Sequence, residues 1–211
     1  MNRSNLFDTN PNPLRNAIDN DNADEIRLCL VEDQSLAQTP IVNLSPLNHA
    51  VTFGKIAAVE TLLSLSKEGF NINPVESAET NGKTPLHLAA LNAYPNVVDL
   101  LLPYYQETLD VKDKKGNTPL MLAEKCLQRE LETKASLADL KYQSTESFQA
   151  RPKFDDEELE EYADKTILAY QQVIERLHAA AELQQVAEKS VEQEEVNTSE
   201  VITSRRVGAL N

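Results

Sequence analysis

The sequence predicts an all-α solenoid of about four helix-pair units, followed by a long C-terminal helix and a disordered tail. Three observations carry this. First, a Pro-Leu pair behind a capping residue recurs at Asn12-Pro13-Leu14, Ser45-Pro46-Leu47, Thr84-Pro85-Leu86 and Thr118-Pro119-Leu120, with spacings of 33, 39 and 34 residues. Second, apolar residues follow each pair at helical spacing. Third, the composition shifts past residue 150: the last 61 residues carry a net charge of −7, half of the −14 of the whole chain.

Each unit is legible in order. Asn, Ser or Thr accepts hydrogen bonds well at a helix N-cap, and the Pro that follows sits at the first helical position, where its missing N–H costs nothing. A short inner helix of small and apolar residues comes next, as in Leu86-His87-Leu88-Ala89-Ala90. A second helix carries Val59, Leu62 and Leu63 in one unit and Val97, Val98, Leu101 and Leu102 in the next. An extended stretch then closes the unit, Phe70-Asn71-Ile72-Asn73 or Leu109-Asp110-Val111-Lys112, before Gly116-Asn117 turns toward the next Thr-Pro. The long middle interval is a polar insertion around Pro74 to Thr80, expected as an enlarged hairpin tip.

Asn81-Gly82-Lys83-Thr84-Pro85-Leu86-His87-Leu88-Ala89-Ala90 resembles the signature of the ankyrin-repeat family. Asp113 to Ala123 is similar, with Met121 in place of the His, and Gly69-Phe70-Asn71-Ile72-Asn73 resembles the Gly-Ala-Asp-Val-Asn of that family. The resemblance covers about residues 12 to 135. It weakens in the first unit and after Cys126 in the fourth, which fits terminal repeats whose outer face meets water. The domains expected are a disordered N-terminus (1–11), an ankyrin-repeat domain (12–150), a long acidic amphipathic helix (151–190) and a disordered tail (191–211).

In the last helix Ala163, Ile167, Tyr170, Ile174, Leu177 and Ala181 follow at steps of three and four. Such a stripe suits docking on the last repeat, self-association as a coiled coil, or an exposed partner-binding helix. A monomer is expected, with a coiled-coil dimer as the alternative.

Composition excludes several functions. A net charge of −14 and a pI of about 4.6 disfavour nucleic acid and anionic membrane surfaces. No stretch approaches the length needed for membrane insertion, and the polar first thirteen residues lack the apolar core of a secretory signal. Five glycines are too few for glycine-lined phosphate loops. Cys29 and Cys126 form no metal or redox spacing, and they suit a reducing, cytoplasmic setting. The acids from Asp155 to Asp164 lack the Gly and alternating ligands of a calcium loop. His87 reads as structural, His49 as packed and His178 as solvated. No catalytic set assembles, so no enzymatic activity, cofactor or metal is expected.

The resemblance implies a protein–protein interaction module, an adapter or inhibitor. It would grip its partner with hairpin tips and the exposed face of the inner helices, which form a concave surface. Carried over position by position, the second unit offers Ile41, Val42, Leu44, Thr52 and Phe53. The third offers Thr80, Asn81, Lys83, Leu91 and Asn92, and the fourth Lys114, Lys115, Asn117 and Lys125. Val42, Phe53 and Leu91 are apolar where solvent favours polar residues. The alternative is a bacterial effector translocated into a host cell. Glu192, Glu194, Glu195 and Glu200 ahead of Ala209-Leu210 resemble the Glu-rich C-terminal signals of type IV secretion substrates.

Overall fold

Four N-caps start the inner helices in the same way. Asn12 Oδ1 accepts from Arg15 N at 3.2 Å, Ser45 Oγ from Asn48 N at 3.2 Å, Thr84 Oγ1 from His87 N at 3.4 Å and Thr118 Oγ1 from Met121 N at 3.2 Å. Each satisfies one orphan N–H of a first turn. The computed structural model describes residues 12–75, 81–144 and 156–208. The expected disordered N-terminus (1–11), residues 76–80 of the insertion and residues 209–211 of the tail lie outside them.

The helices are α1 (Pro13–Asp19), α2 (Ala23–Glu32), α3 (Pro46–Thr52), α4 (Ile56–Lys67), α5 (Pro85–Leu91), α6 (Pro95–Leu101), α7 (Pro119–Ser144) and α8 (Asp156–Gly208). Short 3-10 turns cover Gln34–Gln38 and Leu102–Tyr104. Inner helices α1, α3, α5 and α7 stack in a row, and outer helices α2, α4 and α6 form a second row behind them. Among the described residues the only β pairing is an isolated bridge, Ile41 to Leu44.

The first three inner helices end in the same turn. Asp21, Gly54 and Ala93 take left-handed φ values of +53°, +63° and +55°. The following N–H reaches back to an alanine carbonyl: Asn22 to Ala17 at 3.0 Å, Lys55 to Ala50 at 2.9 Å, Tyr94 to Ala89 at 3.1 Å. These are Schellman closures, which reverse the chain into the outer helix.

The fourth unit departs from the expected helix pair. The equivalent of Ala93 is Leu127, and Cys126-Leu127-Gln128-Arg129 offers no Gly, Asn, Asp or Pro to end the helix. A left-handed Leu would cost about 1–2 kcal/mol, so α7 continues to Ser144. The fourth unit therefore has no outer helix of its own, and α8 takes that place against both α6 and α7. Ile167, Tyr170, Val173 and Leu177 of α8 are buried there. Ala163, Ile174 and Ala181 of the expected stripe are half-buried, and Val173, which that stripe left out, is fully enclosed.

α8 runs to Gly208, into the range expected as a tail (191–211). The stretch from Asp156 to Val207 holds neither Gly nor Pro, so nothing breaks the helix before Gly208.

The core is one continuous cluster running from Leu14 and Ile18 through Leu47, Leu62, Leu86 and Leu101 to Leu177. Fully buried Tyr105 ties in the start of the insertion: its hydroxyl donates to Pro74 O at 3.0 Å and accepts from Leu86 N at 3.4 Å.

The helix-reversing turns make a paired prediction. A Cβ on Gly54 would stand 2.9 Å from the Tyr94 ring at a φ of +63°. Gly54→Ala should therefore lose at least about 1–2 kcal/mol. Ala93→Gly removes the strain of a left-handed alanine, and should be neutral to about 1 kcal/mol stabilising. Urea unfolding midpoints measure both, and a Gly54→Ala variant as stable as the parent would contradict the assigned turn.

Candidate functional site

The hairpin between the first two units comes closest to a presented surface. Ile41 and Leu44 exchange backbone hydrogen bonds at 2.7 and 3.0 Å across Val42 and Asn43, whose φ values are +51° and +63°. Two positive φ values make this a type I′-like tip, where Asn or Gly is the usual first residue. Val42 stands there instead, 68% exposed. A β-branched residue is strained in this region. Leu44 is half-buried and Ile41 buried, so only Val42 presents an apolar side chain to water at the tip.

At the other end of α3, Thr52 is half-buried and donates to Asn48 O at 2.7 Å. Phe53, the C-cap, is 56% exposed, and its ring lies 4.7 Å from that of His49. His49 is buried, with Nε2 2.7 Å from Asp19 Oδ1, and so ties the second unit to the first.

The third and fourth hairpins lie side by side, joined by Lys114 N donating to Asn81 O at 3.0 Å. Asn81, Lys114 and Lys115 are exposed, and Lys83 and Asn92 are half-buried. Thr80 lies outside the described residues.

Two expected contact residues are placed differently. Asn117 is buried: its backbone N–H donates to Asp113 Oδ1 at 2.9 Å, and its side-chain amide reaches both carboxylate oxygens at 3.2 Å. Its Oδ1 accepts from Lys125 Nζ. Its carbonyl lies 2.9 Å from His87 Nε2. Thr84 N donates to His87 Nδ1 at 3.2 Å, which leaves the proton on Nε2 to donate to Asn117. Asn117 is thus a joint between units. Leu91 is half-buried, and its carbonyl accepts from the Tyr170 hydroxyl of α8 at 2.8 Å. The helix that completes the fourth unit covers it.

Burial lowers the pKa of His87 despite its bond to Asn117 and the nearby Asp113 charge. Burial pushes the Asp113 carboxyl up, but hydrogen bonds from Asn117 and Lys115 outweigh it and hold the group below the usual range. Both shifts belong to a structural network. Among the described residues no three His, Cys, Asp or Glu side chains converge on a metal position, and no helix is long and apolar enough to cross a membrane.

Residues 47–133 match the family model of ankyrin repeats, in three copies. These residues are ankyrin repeats. The chain is 31% identical over 100 residues to mouse (Mus musculus) Rabankyrin-5, covering 47% of this chain and 8% of that one. It is 38% identical over 79 residues to human (Homo sapiens) neurogenic locus notch homolog protein 4, covering 37% of this chain and 4% of that one. The chain thus spans less than a tenth of the length of either relative. Ankyrin repeats are generally protein–protein interaction modules and typically non-enzymatic.

The lowered His87 pKa fixes a sign. The unfolded chain takes up a proton near pH 6.5, whereas the folded chain resists it until lower pH. The unfolded state binds more protons in that window, so this group's stabilisation is complete above about pH 6.5 and falls on acidification below it. His87→Asn, the residue type that Asn48 supplies in the second unit, should flatten that part of the profile. Urea midpoints between pH 7 and pH 5 test this, and parallel profiles for variant and parent would exclude His87 as the cause.

Proposed function

We propose that the protein is an adapter or inhibitor that grips a protein partner on the concave side of its ankyrin stack, with Phe53 as the anchor. The carrying observation is that Phe53, an aromatic side chain at the end of an inner helix, is left more than half exposed. Aromatic residues are enriched among the side chains that dominate interface energetics. Val42 adds a second apolar contact at the adjoining tip, on a backbone conformation that disfavours it. Support also comes from the family, whose repeats generally bind proteins. The half-buried Leu91 and buried Asn117 move the proposed contact toward the first two units. Two unpaired thiols, Cys29 and Cys126, suit work in a reducing, cytoplasmic compartment.

Affinity purification with the full chain followed by mass spectrometry identifies the partner, and titration calorimetry then measures it. Phe53→Ala should weaken binding about 30-fold or more, the equivalent of about 2 kcal/mol. The melting temperature should change little, because the ring is mostly in water. Glu160→Ala, an exposed position on α8, should leave affinity unchanged. Loss of binding in Glu160→Ala with none in Phe53→Ala would move the interface to α8 and end the concave-surface reading.

A further inference from the structure

Past Leu177 the last helix leaves the core and runs beside the third unit. It is parallel to α6: Tyr170 meets Leu91, Arg176 meets Asp99, and Leu183 stands across from Leu102 and Leu109. The outer helices α2 and α4 stop after about three turns, and their chains bend into the next hairpin arm. α8 does not stop, and the arm that begins at Leu102 diverges from it. That divergence opens a groove of about 1100 Å³.

One wall is Ala179, Ala180, Leu183 and Ala187 of α8; the other is Leu102, Pro103 and Leu109. The head of the groove is closed by Arg176, whose Nε donates to both Asp99 carboxylate oxygens at 2.8 Å. Leu183 is 72% exposed, the one large apolar side chain of the α8 wall, set among Ala179, Ala180 and Ala187 with Gln184 beside it. Small side chains let another helix approach α8 closely. From Arg176 to Ala187 the wall is about 18 Å long, matching three turns of helix.

We infer that this groove receives an amphipathic helix of a protein partner, apolar on one face and rich in Lys and Arg on the other. The apolar walls call for the apolar face, as in other helix-in-groove complexes. Charge selects the basic one. Asp99 already neutralises Arg176, while Glu107 lines the opposite lip. Just beyond the groove, from Glu188 to Glu200, the sequence of α8 is acidic, with Glu188, Glu192, Glu194, Glu195 and Glu200 against Lys189, before Arg205 and Arg206 near its end. A second copy of this chain would bring another −14 of net charge to an acidic surface. The segment joining α7 to α8 enters at Asp156, some 20 residues or about 30 Å of helix from Arg176. The groove shares no residue with the surface around Phe53 and stands independently of that proposal.

The probe is a fluorescein-labelled synthetic peptide of about five helical turns, with leucines on one face and lysines on the other. Its counterpart has glutamates for the lysines. Anisotropy titrations against the full chain should show saturable binding of the lysine peptide, at least about tenfold weaker for the glutamate peptide and weakened by salt. Leu183→Glu should weaken it at least about tenfold, although the change adds a negative charge that would strengthen purely electrostatic attraction. Leu183→Ser should weaken it in the same direction. Leu168→Glu, an exposed leucine about four turns away on the same helix, and Phe53→Ala should leave it unchanged. Melting temperatures should stay near that of the parent, because Leu183 is mostly in water. Unchanged or tighter binding with Leu183→Glu, or equal loss with Leu168→Glu, would overturn the proposal. So would a dimer in sedimentation equilibrium that Leu183→Glu dissolves, since the groove would then belong to a second copy.

Discussion

The left-handed residue that ends each of the first three inner helices sets the rest of the architecture. Asp21, Gly54 and Ala93 reverse the chain after two turns of helix, so the outer helix returns along the back of its own unit. The three positions do not reach that conformation equally. Gly54 adopts it without penalty, Asp21 is a residue type that visits it readily, and Ala93 is held there partly because Pro95 cannot extend α5. At Leu127 none of these aids exists. One missing turn lengthens α7 to 26 residues and strips the fourth unit of its own partner helix. Without α8, α6 and α7 would both lose the helix packed against them.

Magnitudes show what holds α8 in that place. Four of its side chains, Ile167, Tyr170, Val173 and Leu177, are buried, and each fully buried side chain of this size contributes about 1.5–3 kcal/mol. The Arg176–Asp99 and Lys134–Asp164 pairs are substantially solvent-exposed, and such pairs contribute about 0–1 kcal/mol each. Apolar burial therefore docks the helix, and the ion pairs contribute chiefly to its register. The Tyr170 hydroxyl bond to Leu91 adds direction at the point where α8 crosses the end of α5.

The repeats were readable because their signals are local. A Thr before Pro caps a helix whatever lies beyond it, and all four caps are made. What stayed hidden depended on distant partners. Lys115-Gly116-Asn117 reads as an exposed tip, yet Asn117 is drawn inward by Asp113 four residues earlier and by His87 thirty residues earlier. Leu91 reads as surface because the residue covering it, Tyr170, is 79 residues away. Val173 was missed because the stripe ran through Ile174, and only packing against α6 and α7 selects which neighbour points in. The end of α7 was the one failure with a local cue: the absence of any turn-forming residue at Leu127 is visible in the sequence.

The same geometry distributes recognition along the stack. Val42 and Phe53 flank α3, whose seven residues advance about 10 Å. A partner touching both must lie along the inner helix rather than insert one loop tip. Farther along, the row closes where α8 meets the end of α5 at Leu91. An elongated partner entering from the first unit therefore meets a boundary at the third. The helix that imposes this boundary also forms a wall of the groove behind α6. The missing turn at Leu127 thus both shortens the open inner surface and creates the second apolar one.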